Sequence, residues 1–185
     1  MKKLIVLLSA SALLLVAPLR AIDSFESNPG YIDFSKYITL SGEDATVEVN
    51  IKGPLLRLAA SILEGQDEQL SQLIERIQLV RVHVYEVNDG TRDQFAASVQ
   101  SIAQTLKGKN WEQLVTVKDG NENVAVFANM PNGDTIAGIV VSVSDGGEAV
   151  FVNIVGDVAF ESLAEIGKRL NIPALDKIDD MFEEG

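Results

Sequence analysis

The sequence contains no cysteine and a single histidine among its 185 residues, and these shortages exclude several kinds of site. Without cysteine the chain can form neither disulfides nor thiolate nucleophiles, iron–sulfur clusters or zinc ribbons. With one histidine it cannot build a multi-histidine metal site by itself. We therefore expect no cofactor and no tightly bound metal.

Basic residues are also scarce. The chain has 15 Lys+Arg against 27 Asp+Glu, which gives a formal net charge of -12. Because such a surface repels phosphate backbones, we expect no nucleic-acid partner. The hydrophobic share of 46% and the charged share of 23% are those of a globular domain rather than of a disordered chain. The length suits one domain with a sizeable core.

The first 21 residues have the pattern of a secretory signal peptide. Lys2 and Lys3 precede an apolar segment at residues 4–15, and Pro18 and Ala21 follow it. A membrane-spanning helix needs about 20 apolar residues, so an uncleaved anchor is the weaker alternative. We predict cleavage after Ala21 and a periplasmic or secreted protein. It would have no lipid anchor, because no cysteine is present to carry one, and no transmembrane span after cleavage.

The chain beyond the predicted signal peptide has three parts. Residues 22–44 form a polar arm, residues 45–172 form an α+β domain, and residues 173–185 form an acidic tail. Cleavage would leave 12 basic against 27 acidic residues, a net charge of -15. The arm carries four aromatic residues that we expect to dock it on the domain: Phe25, Tyr31, Phe34 and Tyr37.

Hydrophobic periodicity predicts six strands and four helices in the domain. Alternating apolar residues place the strands at residues 46–51, 80–85, 111–118, 123–130, 135–144 and 148–155. Helical spacing follows Gly53-Pro54 and each of three candidate capping residues, Asp67, Thr91 and Asp157. Turns rich in Asp, Asn and Gly connect the last four strands as antiparallel hairpins.

The order of these elements, β-α-α-β-α-β-β-β-β-α, lacks the strict βαβ alternation of a doubly wound parallel sheet. It predicts an α+β fold, with a mainly antiparallel sheet of about six strands and with helices packed on one face.

Four segments in this order are similar to those of a known family. The strand at residues 79–86 is followed by Trp-Glu-Gln-Leu-Val at 111–115 and Ile-Ala-Gly-Ile at 136–139. The strand at 148–156 then ends in Val-Asn-Ile-Val-Gly. Over roughly residues 45–170 the series resembles the exported bacterial proteins of domain-of-unknown-function family 4252. The resemblance implies an envelope-associated protein and no particular reaction. Many members look like lipoproteins, and this chain departs from them by lacking the cysteine.

Motifs for catalysis and ion binding are weak. His83 can be interpreted as a general base or as a solvent-facing strand residue. No serine lies in a G-x-S-x-G elbow, and no glycine-rich stretch continues into the Lys-Ser/Thr of a phosphate loop. Residues 119–123 begin like a calcium loop, but Val124 occupies the position that needs glycine. A hairpin turn is the better interpretation of that segment.

The more informative residues lie on the polar side of the predicted sheet. If the valines of residues 80–84 face the helices, the period of two turns the neighbouring side chains outward. Outward aromatic rings among polar groups are typical of a binding surface, unless the arm or a second subunit covers them. The candidate binding residues are Arg81, His83, Tyr85, Phe127 and Phe151.

These features predict an exported, non-catalytic protein-interaction module of the cell envelope. Its partner would be an unknown envelope protein or a second copy of the chain. Two alternatives stay open: an envelope enzyme that uses His83, and a small-ligand-binding protein whose pocket lies between the helices and the sheet.

Overall fold

The computed structural model describes residues 25–38, 44–120, 122–133, 135–159 and 162. The predicted signal peptide and the predicted acidic tail lie outside these residues. So does the predicted fourth helix apart from Ser162, which is helical.

Six strands form one antiparallel sheet with the spatial order β1-β2-β6-β5-β4-β3. The α+β class and the mainly antiparallel six-stranded sheet that the sequence predicts are therefore confirmed. The strands are β1 (Val47–Lys52), β2 (Ile77–Glu86), β3 (Trp111–Asp119), β4 (Glu122–Asn129), β5 (Thr135–Ser144) and β6 (Glu148–Ala159). The helices of the described residues are α1 (Gly53–Leu63), α2 (Glu68–Arg76) and α3 (Arg92–Leu106), with a 3-10 turn at Phe34–Lys36.

Local sequence signals account for several element boundaries. Asp67 caps α2 as predicted, because its carboxylate accepts a hydrogen bond from Leu70 N at 3.1 Å. Gly120 and Gly146 adopt positive φ values of 56° and 90° in the hairpin turns, where a side chain would be strained.

Asp157 does not cap a helix, so that prediction is wrong. It lies inside β6, which stays paired with β5 as far as Ala159, opposite Thr135. The hydrogen bonds of the ladder therefore continue past the residue whose side chain suggested a helix start.

The helices lie on both faces of the sheet rather than on one. Phe95 and Ile102 of α3 join the core cluster on the face that carries Phe127 and Phe151. Leu73 of α2 joins the cluster on the opposite face, with the buried residues Val126, Val141 and Ile154. Because both faces of the central strands are apolar, each of them needs a cover.

The N-terminal arm crosses the sheet on the same face as α3. Its Gly30 lies so close to Gly138 of β5 that a Cβ atom on either glycine would collide with the backbone of the other. The side chain of Asn153 on β6 is fully buried beside this crossing. Its Nδ2 donates to Gly30 O at 2.9 Å and to Ile139 O at 3.1 Å, and its Oδ1 accepts from Ile32 N at 3.0 Å.

We expect Asn153→Ala to destabilise the protein strongly, because it leaves three backbone groups of the arm and of β5 without their partner. An unsatisfied buried polar group costs about 1–3 kcal/mol, so a total loss of about 3 kcal/mol is a reasonable expectation. For a chain of this size that loss lowers the melting temperature by roughly 6–12 °C. Thermal unfolding followed by circular dichroism measures it. Asn50→Ala, at an exposed position of β1, is the matched control and should melt within about 2 °C of the wild type.

Candidate functional site

Three of the predicted site residues form a buried polar row along β2. Arg81, His83 and Tyr85 alternate on one face of the strand and are 8%, 5% and 7% exposed. Arg81 Nη2 lies 3.3 Å from His83 Nε2, and His83 Nδ1 lies 3.3 Å from the Tyr85 hydroxyl. The second guanidinium nitrogen, Nη1, donates to the hydroxyl of Tyr31 at 2.9 Å. The row therefore continues from the sheet into the arm.

The contacts of His83 define its tautomer. A guanidinium can only donate, so Nε2 must accept from Arg81 and the ring proton must lie on Nδ1. This proton is then donated to the Tyr85 oxygen. Glu48 Oε1 is 3.7 Å from Nε2, but that contact is an ion pair only if the ring becomes protonated. In the neutral ring, the lone pair that a general base would use is already occupied by Arg81.

The arm covers this row. The ring of Phe34 is completely buried, with its centroid 5.7 Å from that of His83 and 5.5 Å from that of Phe151. On the other side, Phe95 of α3 places its ring 5.3 Å from Phe151. Aromatic pairs at these distances are favourable beyond the area they bury.

The five predicted residues share one face of the sheet, and the structure realises the alternative in which the arm covers that face. Phe127 and Phe151 are 2% and 0% exposed. Both faces of β4, β5 and β6 carry apolar side chains. Hydrophobic periodicity therefore does not show which face is covered and which is exposed to solvent. The arm, one of the covers that the sequence suggested, closes this face together with α3. Whether the five residues bind a partner stays a prediction.

Burial also changes the acid–base behaviour of the row. It lowers the pKa of His83 below the usual 6.5, and the neighbouring positive charge of Arg81 adds to this effect. The carboxylates of Glu48 and Asp33 oppose it without reversing it. Burial raises the pKa of Tyr85 above 10.0, since a phenolate would lose its hydration.

A cleft of about 690 Å³ lies between α3 and the strands β3, β4 and β5. Its volume falls within the range of about 300–1,000 Å³ typical of small-molecule sites. Its lining includes small side chains on both sides, Ala96 and Ala103 on α3 and Ala125 and Ser142 on the sheet. Phe95 and Ile102 of α3 belong to the buried aromatic core on the same face.

Of the five predicted site residues, only Phe127 lines this cleft. The helical residues Ala96, Val99 and Ala103 were missed by sequence reasoning. Their spacing of three and four residues places them on one side of α3, but Val99 and Ala103 also pack against the core cluster, so this spacing predicts packing rather than a cleft. No pattern in the sequence indicated a cleft at Ser142, which also lines it.

Two kinds of feature are absent from the described residues. Within the described ranges, no group of three or more histidine and carboxylate side chains could hold a metal ion. Of the helices that the structure describes, none combines the length and apolar character that a bilayer span requires.

The family model for the domain of unknown function DUF4252 matches residues 37–166, more than half of the chain. The chain belongs to the DUF4252 family. The resemblance inferred from the four sequence segments is thereby confirmed. A search of the curated proteins and a search of the solved structures each gave no match.

The region matched by the DUF4252 model includes the cleft but not the whole arm. It contains the polar row of β2 and all the residues that line the cleft. The arm residues Gly30, Ile32 and Phe34, which close the face beside the cleft, lie before its first residue. Family membership therefore covers the cleft but not the part of the arm that packs beside it.

The lowered pKa of His83 predicts a pH dependence of stability in this DUF4252 protein. The unfolded chain binds the histidine proton near pH 6.5, whereas the folded protein binds it only at lower pH. Between these values the unfolded state carries more protons, so its free energy falls relative to the folded state. The stability contributed by the neutral ring is complete above about pH 6.5 and is lost as the pH falls through the folded-state pKa.

We expect the free energy of unfolding to decrease more steeply from pH 7.5 to 5.5 in the wild type than in His83→Gln. Urea unfolding at several pH values gives the two slopes, and comparing slopes removes any constant effect of the substitution. Since His83 is the only histidine in the chain, its ring signals in an NMR titration report the same pKa directly. A folded-state pKa above 6.5, or equal slopes, would contradict the expectation.

Proposed function

We propose that this protein is an exported, non-catalytic binding protein of the cell envelope, and that the cleft beneath α3 is its ligand site. The observation that supports this most is the cleft itself. An open cleft of small-molecule size lies between the helix and the sheet, and its lining combines apolar side chains such as Val99 and Phe127 with hydroxyl, amide and charged groups. Ligand sites in proteins are clefts of this size in which apolar surface is combined with polar groups that orient the ligand.

The geometry of His83 supports a binding role better than an enzymatic one. The ring is covered by Phe34, and Arg81 and Tyr85 engage both of its nitrogen atoms. A general base needs a lone pair within reach of the proton that it removes. The polar row is better interpreted as a structural connection between β2 and the arm, in which each side chain is hydrogen-bonded to the next.

Export is supported by the signal-peptide pattern of the first 21 residues. We expect the protein from its native host to begin at Ile22, which leaves the whole described arm on the mature chain. Intact-mass spectrometry of the periplasmic fraction measures this, with a cytoplasmic marker protein as the fractionation control. Recovery of the full-length chain from the membrane fraction would contradict export as a cleaved protein.

The cleft can be tested with a neutral fluorescent dye and two neighbouring substitutions on α3. Ala96 and Ala97 are both exposed, but only Ala96 lines the cleft. We expect Ala96→Trp to fill the space and to weaken the binding of Nile red at least tenfold. Ala97→Trp adds the same side chain outside the cleft and should bind the dye like the wild type. Equal binding by both variants would contradict the assignment of the site.

A second candidate function, protein contact, is supported by the outer surface of α1. Leu55, Leu58 and Ile62 are 59%, 57% and 61% exposed, although leucine and isoleucine are usually buried. Their spacing of three and four residues places them on one side of the helix. Adjacent exposed apolar side chains of this kind are typical of protein-contact surfaces.

We expect Leu58→Ser with Ile62→Ser to leave the melting temperature within a few degrees, because both side chains are largely exposed already. If α1 binds a partner or a second copy, the pair of substitutions should abolish its cross-linking in intact cells. Gln69→Ser on the exposed face of α2 is the control and should cross-link like the wild type. Unchanged cross-linking of the double variant would exclude this surface.

A further inference from the structure

The exposed apolar side chains of β1 and α1 indicate the partner in the protein contact proposed above, on which this inference rests. Among the residues that the structure describes, the most exposed large hydrophobic side chains are Val47 of β1 and Leu55, Leu58 and Ile62 of α1. All of them belong to one strand and the helix that directly follows it. Apolar side chains gathered in one exposed region are typical of a contact surface.

The strand β1 also lies at an open edge of the sheet. The strand order ends at β1, and within the described ranges no strand pairs with its outer side. An edge strand presents unpaired N–H and C=O groups that a further strand can bind. Every residue of β1 pairs with β2 without a register shift, whereas the other edge strand, β3, has a shift between Gln113 and Val115. Bulges hinder the addition of a strand, so β1 is the edge better suited to it.

The charges of β1 complement those of an antiparallel copy of the same strand. Glu48, Asn50 and Lys52 alternate along β1 and therefore share one face of it. If two copies pair antiparallel about a twofold axis at Asn50, Glu48 of each copy lies opposite Lys52 of the other. Cross-strand pairs of opposite charge stabilise a sheet, whereas like charges directly opposite each other destabilise it.

The apolar face of β1 fits the same register. Val49 then lies opposite Ile51 of the second copy, because both positions are one residue from the axis. Within one copy, Val49 is paired with Val82 of β2, and Val82 is paired with Val152 of β6. The row of apolar side chains would therefore continue from one sheet into the other.

The same axis places the two α1 helices on one side of the joined sheet. α1 contacts β1, β2 and α2. Leu73 of α2 packs on the face of the sheet that carries Ile154 and Val152. A twofold axis perpendicular to the sheet keeps this face on the same side in both copies. The exposed apolar side chains of both α1 helices therefore lie on the same side of the dimer.

Local charge favours this contact in a strongly acidic protein. The whole chain has a net charge of -12, and two acidic surfaces repel each other. Residues 47–63, in contrast, contain one acidic residue, Glu48, and two basic residues, Lys52 and Arg57. Self-association through this segment therefore avoids the repulsion that the average charge of the chain would cause.

We propose that two copies of this protein associate through the edges of their β1 strands, paired antiparallel and centred on Asn50. The six strands of each copy then form one continuous sheet. The contact joins identical surfaces, as twofold dimers do. Glu48 and Lys52 determine the register of the two strands, and the exposed side of α1 adds apolar surface to the contact.

The test is sedimentation velocity of the mature protein from micromolar to submillimolar concentrations. We expect a reversible equilibrium between monomer and dimer. Glu48→Lys and Lys52→Glu, made separately, each replace the pairs of opposite charge by pairs of like charge. Each variant should therefore self-associate about tenfold more weakly than the wild type, or more weakly still.

An equimolar mixture of the two variants is the decisive measurement. In a mixed dimer every altered side chain lies opposite a side chain of the other sign, so the mixture should form dimers about as tightly as the wild type. Unfolding caused by a substitution would not be reversed by mixing, and melting temperatures verify that each variant is folded. Glu112→Lys, at an exposed position of the other edge strand β3, is the matched control and should dimerise like the wild type.

The results separate failure of this inference from failure of the contact proposed for α1. A wild type that stays monomeric, a single variant that dimerises like the wild type, or a mixture that stays monomeric would each overturn the pairing of β1. Loss of cross-linking in Leu58→Ser with Ile62→Ser would then still support α1 as a surface for another protein. If mixing restores the dimer while that double variant cross-links normally, the pairing of β1 holds and the contact through α1 is wrong.

Discussion

The buried amide of Asn153 is the constraint on which the rest of this structure depends. A primary amide without water must find its partners within the protein, and Asn153 finds them in the backbone of the arm and of β5. It thereby joins segments more than 100 residues apart in sequence, since Gly30 is 123 residues away and Ile32 is 121. The arm can approach closely enough only because Gly30 and Gly138 have no side chains.

Docking of the arm brings aromatic rings into contact on that face of the sheet. Phe34 is placed over His83 and Phe151, and Phe95 of α3 packs on Phe151 from the other side. The arm and α3 therefore cover this face of the sheet through one shared ring, that of Phe151. Ala96, Val99 and Ala103 of α3 line the cleft together with Ala125 and Ser142 of the sheet.

Much of the fold could be predicted because local rules act strongly on it. Period-two alternation located all six strands, and glycine turns indicated their antiparallel order. Asp157 shows where local rules fail: its side chain is suited to capping a helix, but pairing of β6 with β5 continues through it. A cap contributes about 1 kcal/mol, and continued ladder hydrogen bonds together with the burial of Val158 outweigh it.

The sequence by itself determined the absence of cysteine-based chemistry, the acidic character, the antiparallel strands and which side chains share a face. These properties depend on composition or on neighbours within a few residues. Only the tertiary structure decided which face is covered, that His83 is buried with both ring nitrogens engaged, and that a cleft lies beneath α3. Both faces of the central strands are apolar, so the choice between them was made by contacts across the chain, from Asn153 to the arm and from Phe95 to Phe151. Such contacts leave no periodic pattern in the sequence.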